Sequence, residues 1–160
     1  MKIGEMRVLI TGSSGFIGRN LIRMATSMNI DFTSLDLVGK HDIKCDIAQT
    51  NWEEIRLSDF NAVIHLAAKT SVPESFEDPK KFLNVNSIAT EKLFRACVEQ
   101  KVEKVIFASS AAVYGSSDKE IKKIGEEGKS ESPYADTKLH GEEWMMRKLL
   151  KRKLVRNDKK

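Results

Sequence analysis

Two cysteines in 160 residues, Cys45 and Cys97, leave this chain without a disulfide framework and without a CxxC pair for a metal ion. They read as free thiols in a reducing compartment, the cytoplasm. No apolar run comes near the roughly 20 residues of a membrane-spanning helix. The N-terminus lacks the apolar core and cleavage site of a secretory leader. A membrane protein and a secreted scaffold are therefore not expected. A general excess of positive charge is lacking too, although the formal net charge is +4. From Arg147 to Lys160, eight Lys/Arg face Asp158 alone, net +7, whereas residues 1–146 hold 19 basic and 22 acidic side chains, net −3. A mildly acidic body with a basic end argues against a nucleic-acid partner, and residues 151–160 read as a solvated basic tail. The remainder, 41% hydrophobic and 31% charged overall, has the composition of one globular domain, expected over residues 1–150.

What is present begins at Arg7. The apolar run Val8–Ile10 leads straight into glycines at 12, 15 and 18, and an amphipathic segment comes next through Leu21, Ile22 and Met24. This spacing predicts a strand, a tight turn and the first turn of a helix. Glycine is required where φ is positive or where a ligand must approach the backbone. The helix start then offers free N–H groups and partial positive charge to a pyrophosphate. A second strand is expected from Ile30 to Leu37. Asp36 lies at its end, 18 residues after Gly18, where an acid in a dinucleotide fold accepts hydrogen bonds from the adenosine ribose. A carboxylate there repels a 2′-phosphate, so NAD is expected over NADP.

The rest of the chain continues the alternation. A brief third strand is expected through Ile43 and Cys45, then a short helical stretch over Ala48–Leu57 carrying Trp52 and Ile55. The continuous apolar run Ala62–Ala68 suits a strand covered on both faces. His65 within it reads first as a hydrogen-bonded core residue, and the small Ala67–Ala68 pair lets a ligand lie against the strand end. Pro73 and Pro79 mark a loop. A long helix comes after it, with Phe82, Val85, Ile88, Leu93 and Val98 at roughly helical spacing and Asn86 as a polar exception that is either hydrogen-bonded or faces a site. A fifth strand spans Lys104–Ala108 and ends in Ser109–Ser110. Ser116–Ser132 reads as a surface loop, and a last helix opens at Pro133 with Ser132 as its cap. Five short strands interleaved with helices predict an α/β fold, a doubly wound parallel sheet, whose ligands sit beyond the strands' carboxyl ends.

Tyr134 and Lys138, spaced i, i+4, share one helix face about 6 Å apart. A neighbouring ammonium favours a phenolate, and a positive nicotinamide ring does the same. Such a tyrosine can exchange a proton with a substrate hydroxyl while hydride moves. Ser110 could hold the same oxygen.

Taken in order, these segments resemble the extended short-chain dehydrogenase/reductase superfamily, in particular its NAD-dependent nucleotide-sugar epimerases and dehydratases. Thr11-Gly12-Ser13-Ser14-Gly15-Phe16-Ile17-Gly18 is similar to the family's T-G-x-x-G-F-I-G loop. Asp36 matches the ribose-binding acid, and Asp46-Ile47 the pair that meets the adenine. His65-Leu66-Ala67-Ala68 resembles the H-x-A-A strand end, and Asn86 the asparagine of the following helix. Ser109 to Gly115 resembles S-S-x-x-V-Y-G, with the catalytic hydroxyl on Ser110, and Ser132 to Glu142 resembles S-P-Y-x-x-S-K-x-x-x-E.

The resemblance implies NAD as cofactor, held by Gly12, Ser14 to Gly18, Asp36, Asp46, Ile47, Leu66 to Ala68, Asn86, Tyr134 and Lys138. It also implies a catalytic set of Ser110, Tyr134 and Lys138. Tyr134 would accept the sugar hydroxyl proton, Lys138 would lower the tyrosine pKa and bind the nicotinamide ribose, and Ser110 would position the oxygen. Dehydratases carry Asp-Glu where this chain has Ala111-Ala112, which favours epimerase or simple dehydrogenase chemistry. Members of the family continue past the Tyr–Lys helix with a further strand and a nucleotide-sugar domain. Here that domain is expected to be absent and the fifth strand to leave an open edge, which invites oligomers such as a homodimer. A nucleotide sugar is then a partner only if the missing half is supplied. The alternative to an enzyme is a non-catalytic NAD-binding module.

Overall fold

The computed structural model describes residues 6–116, 121–125 and 129–157, with side chains through residue 148. Five strands form one sheet: β1 (Arg7–Thr11), β2 (Asp31–Asp36), β3 (Ile43–Lys44), β4 (Ala62–His65) and β5 (Lys104–Phe107). All neighbours are parallel, in the order β3-β2-β1-β4-β5. Helix α1 (Phe16–Ser27) crosses from β1 to β2. Between β4 and β5 run α2 (Val72–Glu77), α3 (Pro79–Phe82), a π-helical segment (Leu83–Ala89) and α4 (Thr90–Glu99). Helix α5 spans Pro133–Asn157 and so enters the segment expected as a tail.

The period-2 alternation of β1 divides the core into two layers. Val8 and Ile10 pack with Ala62 against Leu21, Ile22 and Ile64 on the α1 side. Leu9 packs with Leu35, Val63, Leu93 and Phe94 on the α4 side, where Trp144 and Met145 of α5 join. Covered on both faces, β1 and β4 are nearly all buried, as their continuous apolar runs require. The doubly wound parallel sheet is thus observed.

Three local expectations need correction. Ala48–Leu57 is not a helix but a series of turns followed by a 3₁₀ turn at Leu57–Asp59. Asn51 Oδ1 accepts from the Glu53 N–H (3.2 Å), an Asx turn that competes with the helical bond. Gln100 then reaches in from beyond α4: its Oε1 accepts from the Leu57 N–H at 2.7 Å, and its Nε2 donates to the carbonyls of Trp52 and Ile55. Pro73 and Pro79 do not mark a loop; they sit in the first turns of α2 and α3, where a missing N–H costs nothing, and Ser71 Oγ and Asp78 Oδ1 cap those helices by accepting from the Glu74 and Lys81 N–H groups. The long helix after Pro79 exists but widens into the π-helical segment around Asn86. The loop expected over 116–132 is preceded by a 3₁₀ turn, Ala111–Tyr114, and residues 117–120 and 126–128 lie outside the described residues.

Candidate active site

The sheet reverses its winding between β1 and β4, which opens a crevice at the carboxyl ends of both strands. The glycine turn lines one side. Gly12 has φ +71°, and a Cβ there would lie 2.5 Å from the Ala67 nitrogen and 2.7 Å from the Leu66 carbonyl carbon. A Cβ on Gly18 would collide with the Gly12 carbonyl oxygen. Only glycine lets the turn, the β4 end and α1 come this close. Helix α1 starts at Gly15 with no side-chain cap and no acidic residue in its first turn, and Phe16 and Ile17 project into solvent. Its N-terminal dipole therefore faces the crevice with no carboxylate of the helix's own first turn set against it.

Asp36 stands at the end of β2, as the spacing predicts. Its Oδ2 accepts from the Ser14 N–H (2.8 Å) and its Oδ1 from the Val38 N–H (3.1 Å). A carboxylate has about four acceptor sites, so capacity remains for ribose hydroxyls. Asp46 Oδ1 accepts from the Ala48 N–H (2.9 Å), whereas the Ile47 side chain is buried in the core. The β4 end is tied to the turn by the Leu66 N–H donating to the Thr11 carbonyl (3.1 Å) and the Ala67 N–H to Thr11 Oγ1 (3.3 Å). Ala68 comes next, half-buried.

Beneath this edge lies His65, 1% exposed, hydrogen-bonded at both ring nitrogens, to Thr11 Oγ1 (2.7 Å) and Thr90 Oγ1 (2.9 Å). Its ring stacks on Phe107 and meets Phe94 edge-on. Burial, aided by the Lys138 charge, pushes its pKa down to about 3, so it is neutral at pH 7. The core-residue reading of His65 fits this geometry.

On the far side, β5 runs into Ser109 and Ser110. Ser110 caps the 3₁₀ turn Ala111–Tyr114, its Oγ accepting from the Ala112 N–H (3.2 Å), and that turn packs against α5. Ser132 Oγ caps α5 by accepting from the Ala135 N–H (3.1 Å). The i, i+4 spacing then turns Tyr134 and Lys138 the same way, with the ammonium 6.0 Å from the tyrosine ring centroid. Lys138 Nζ donates to the Ala108 carbonyl (2.9 Å) and lies 4.9 Å from the Phe107 ring centroid. Burial lowers its pKa to about 8. Gly141, one turn on, permits α5 to approach Phe107 this closely; a Cβ there would sit 2.7 Å from the ring.

Asn86, 1% exposed, accepts from the Lys69 N–H (2.8 Å) and donates to the Lys69 carbonyl (2.9 Å) and Thr137 Oγ1 (3.2 Å). Thr137 in turn donates to the Tyr134 carbonyl (2.7 Å). Asn86 thus joins the β4 exit to the Tyr–Lys helix. Sequence reasoning gives Thr90 no notice, and quotes Thr11 and Thr137 within their motifs without a role of their own. Polar residues embedded in apolar runs that flank the glycine turn and the Tyr–Lys pair are the signal that could have found them.

The crevice fits a dinucleotide by its own features: the uncapped α1 N-terminus, the backbone contacts only glycine allows, and the acceptor capacity left on Asp36. Among the described residues no group of His, Cys, Asp and Glu could hold a metal, and no helix is long and apolar enough to cross a membrane. Fold and crevice together define a dinucleotide-binding α/β domain.

Residues 8–149 match the NAD dependent epimerase/dehydratase family, and the chain belongs to it. It is 28% identical to a UDP-glucose 4-epimerase of Pisum sativum, covering 89% of this chain and 47% of that protein. Among solved structures it is similar to MoeE5 in complex with UDP-glucose and NAD (TM-score 0.81, 32% identity, 86% of this chain and 47% of that one). It is also similar to the UDP-glucose 4-epimerase of Thermus thermophilus in complex with NAD (TM-score 0.78, 29% identity, 88% and 50%). The chain spans about half the length of these proteins. NAD is the cofactor of the family.

Proposed function

We propose that this chain holds NAD in the β1–β4 crevice and serves hydride transfer to and from a carbon of a nucleotide sugar, as an epimerase or simple dehydrogenase of the UDP-glucose 4-epimerase type. The observation that carries this reading is the buried Lys138 ammonium, fixed on the Ala108 carbonyl beside Tyr134 at the end of β5. Bound NAD supplies the hydride acceptor and donor. Tyr134 takes the hydroxyl proton of the sugar carbon being oxidised and returns it on reduction. Lys138 keeps a positive charge beside that phenol. Ser110, at the start of its 3₁₀ turn, positions the reacting oxygen. Ala111 and Ala112 succeed it with no carboxylate, so no acid is in place there for the elimination of water.

A second reading comes from the half-length match: an NAD-binding module that does not turn over a sugar by itself. Calorimetry on the purified chain with NAD and NADP, followed by UDP-glucose on the NAD-loaded protein with NADH fluorescence as readout, separates the two. The expected result is NAD binding in preference to NADP, a preference that Asp36→Ala shrinks, and a sugar-dependent fluorescence signal that Tyr134→Phe abolishes. NAD binding without any sugar response leaves the module. Equal affinity for the two cofactors in the unmutated chain refutes the role given to Asp36.

A further inference from the structure

We infer that the Ser14 hydroxyl is a specificity-determining group: it clasps the loop after β2 to the glycine turn and so holds Asp36 in the position that favours a free 2′-hydroxyl over a 2′-phosphate. The inference rests on the reading of the crevice as an NAD site. Ser14 bridges the two segments twice. Its N–H donates to Asp36 Oδ2 (2.8 Å), and its Oγ donates to the Val38 carbonyl (2.6 Å), two residues beyond the acid. Val38 returns to the same carboxylate, its N–H donating to Oδ1 (3.1 Å). Turn, carboxylate and loop thus form one closed hydrogen-bonded ring.

Gly39 completes the clasp. At φ +79°, it presents a bare Cα to Ser14; a Cβ would lie 2.6 Å from Ser14 Oγ and 2.9 Å from Ser14 Cβ. The loop has no apolar anchor of its own, since Leu37 and Val38 are 51% and 64% exposed. Ser14 and Asp36 hold its near half back by hydrogen bonds, and Asp42 ties its far end to β2, its Oδ2 accepting from the Ser34 N–H and hydroxyl (2.7 Å each). Held this way, the carboxylate oxygens spend one acceptor site each on the backbone and keep the rest for a ribose diol. Without the hydroxyl the Val38 end of the loop keeps only its N–H bond to the carboxylate, the segment 37–40 and the Oδ1 partner it supplies loosen ahead of the Asp42 tie, and the exposed Lys40 becomes able to reach a phosphate. Discrimination then falls from both sides.

The test measures NAD and NADP affinities by calorimetry for the unmutated chain, Ser14→Ala and Ser14→Thr, together with amide hydrogen exchange of the cofactor-free proteins. The expected result is a loss of about fivefold in NAD affinity for Ser14→Ala, the scale of one hydrogen bond, with NADP affinity level or higher. Ser14→Thr, which keeps the hydroxyl, restores the ratio. Residues 37–41 exchange faster in Ser14→Ala than in the unmutated chain. Equal weakening of both cofactors, or unchanged exchange over 37–41, overturns the clasp and leaves the NAD site standing. No NAD binding by the unmutated chain overturns the site itself and the clasp's role with it.

Discussion

Replacing Lys138 by methionine should make the protein more stable at neutral pH while removing the charge its proposed chemistry needs. Lys138 is 3% exposed, and burial brings its pKa from 10.5 to about 8. Between those values the unfolded chain carries a proton that the folded protein does not, so stability rises with pH over that window. Below pH 8 the buried ammonium therefore costs about 3 kcal/mol relative to an unperturbed lysine. Methionine retains most of the stem but forfeits the hydrogen bond to the Ala108 carbonyl and the contact with Phe107, together about 1–2 kcal/mol. The variant should thus gain about 1–2 kcal/mol at pH 7, a rise of roughly 2–8 °C in melting temperature for a chain of this size. That gain should vanish at about pH 9 and reverse to a loss of about 1–2 kcal/mol at pH 10.5, where only the forfeited contacts remain. Circular-dichroism melts of both proteins from pH 6.5 to 10.5 read it directly, and groups common to both cancel in the difference. A difference that stays flat with pH, or a variant less stable at pH 7, refutes the account of Lys138 as a destabilising group retained for its charge.

His65 predicts the opposite end of the pH scale. With its pKa held near 3 in the folded state against 6.5 in the unfolded chain, it contributes stability above pH 6.5 that is lost as the pH falls toward 3, up to about 5 kcal/mol. His65→Gln should be less acid-sensitive than the parent in urea titrations at pH 7 and 4.5, and an identical pH dependence would contradict this. Gly12→Ala should lower stability by about 3 kcal/mol, combining left-handed backbone strain with a backbone collision, and the melting temperature by roughly 6–12 °C. Gly15→Ala, which meets only the Gly12 carbonyl oxygen at 3.3 Å, should cost far less in the same melts. Equal losses would place the demand on the turn as a whole.

The parts legible in the sequence are those whose cause is local. Glycines at 12, 15 and 18 and Asp36 speak through spacing alone, because a strand, a turn and a helix succeed each other without interruption. The Tyr134–Lys138 pair is equally local, set by one helical turn and by the Ser132 cap. Ala48–Leu57 misleads because its decisive partner, Gln100, lies more than 40 residues away and takes the backbone groups a helix would have used. Asn86 is visible as an anomaly, but its aim is not: the π-helical widening shifts the angular spacing, so the 3.6-residue period no longer says which way it points. His65 can be read as a core histidine from its apolar neighbours, while Thr11 and Thr90 emerge as its partners only once β1, β4 and α4 are assembled.

The π-helical segment Leu83–Ala89 has a consequence for how this chain tolerates changes in length. A wide turn holds one residue more than the α-helix that flanks it, so deleting a single residue between 83 and 89 can be absorbed by tightening that turn. The phase of α4, and with it the seating of Phe94 against His65, survives such a loss. The pairing of Asn86 with Lys69 and Thr137 does not, since the side chain would swing about a third of a turn along the helix surface. Elsewhere in 79–99 the same deletion would rotate every later residue off the sheet. The helix thus has one place where a residue can be removed without misdirecting the turns beyond it, and it coincides with the residue that ties the β4 exit to the Tyr–Lys helix.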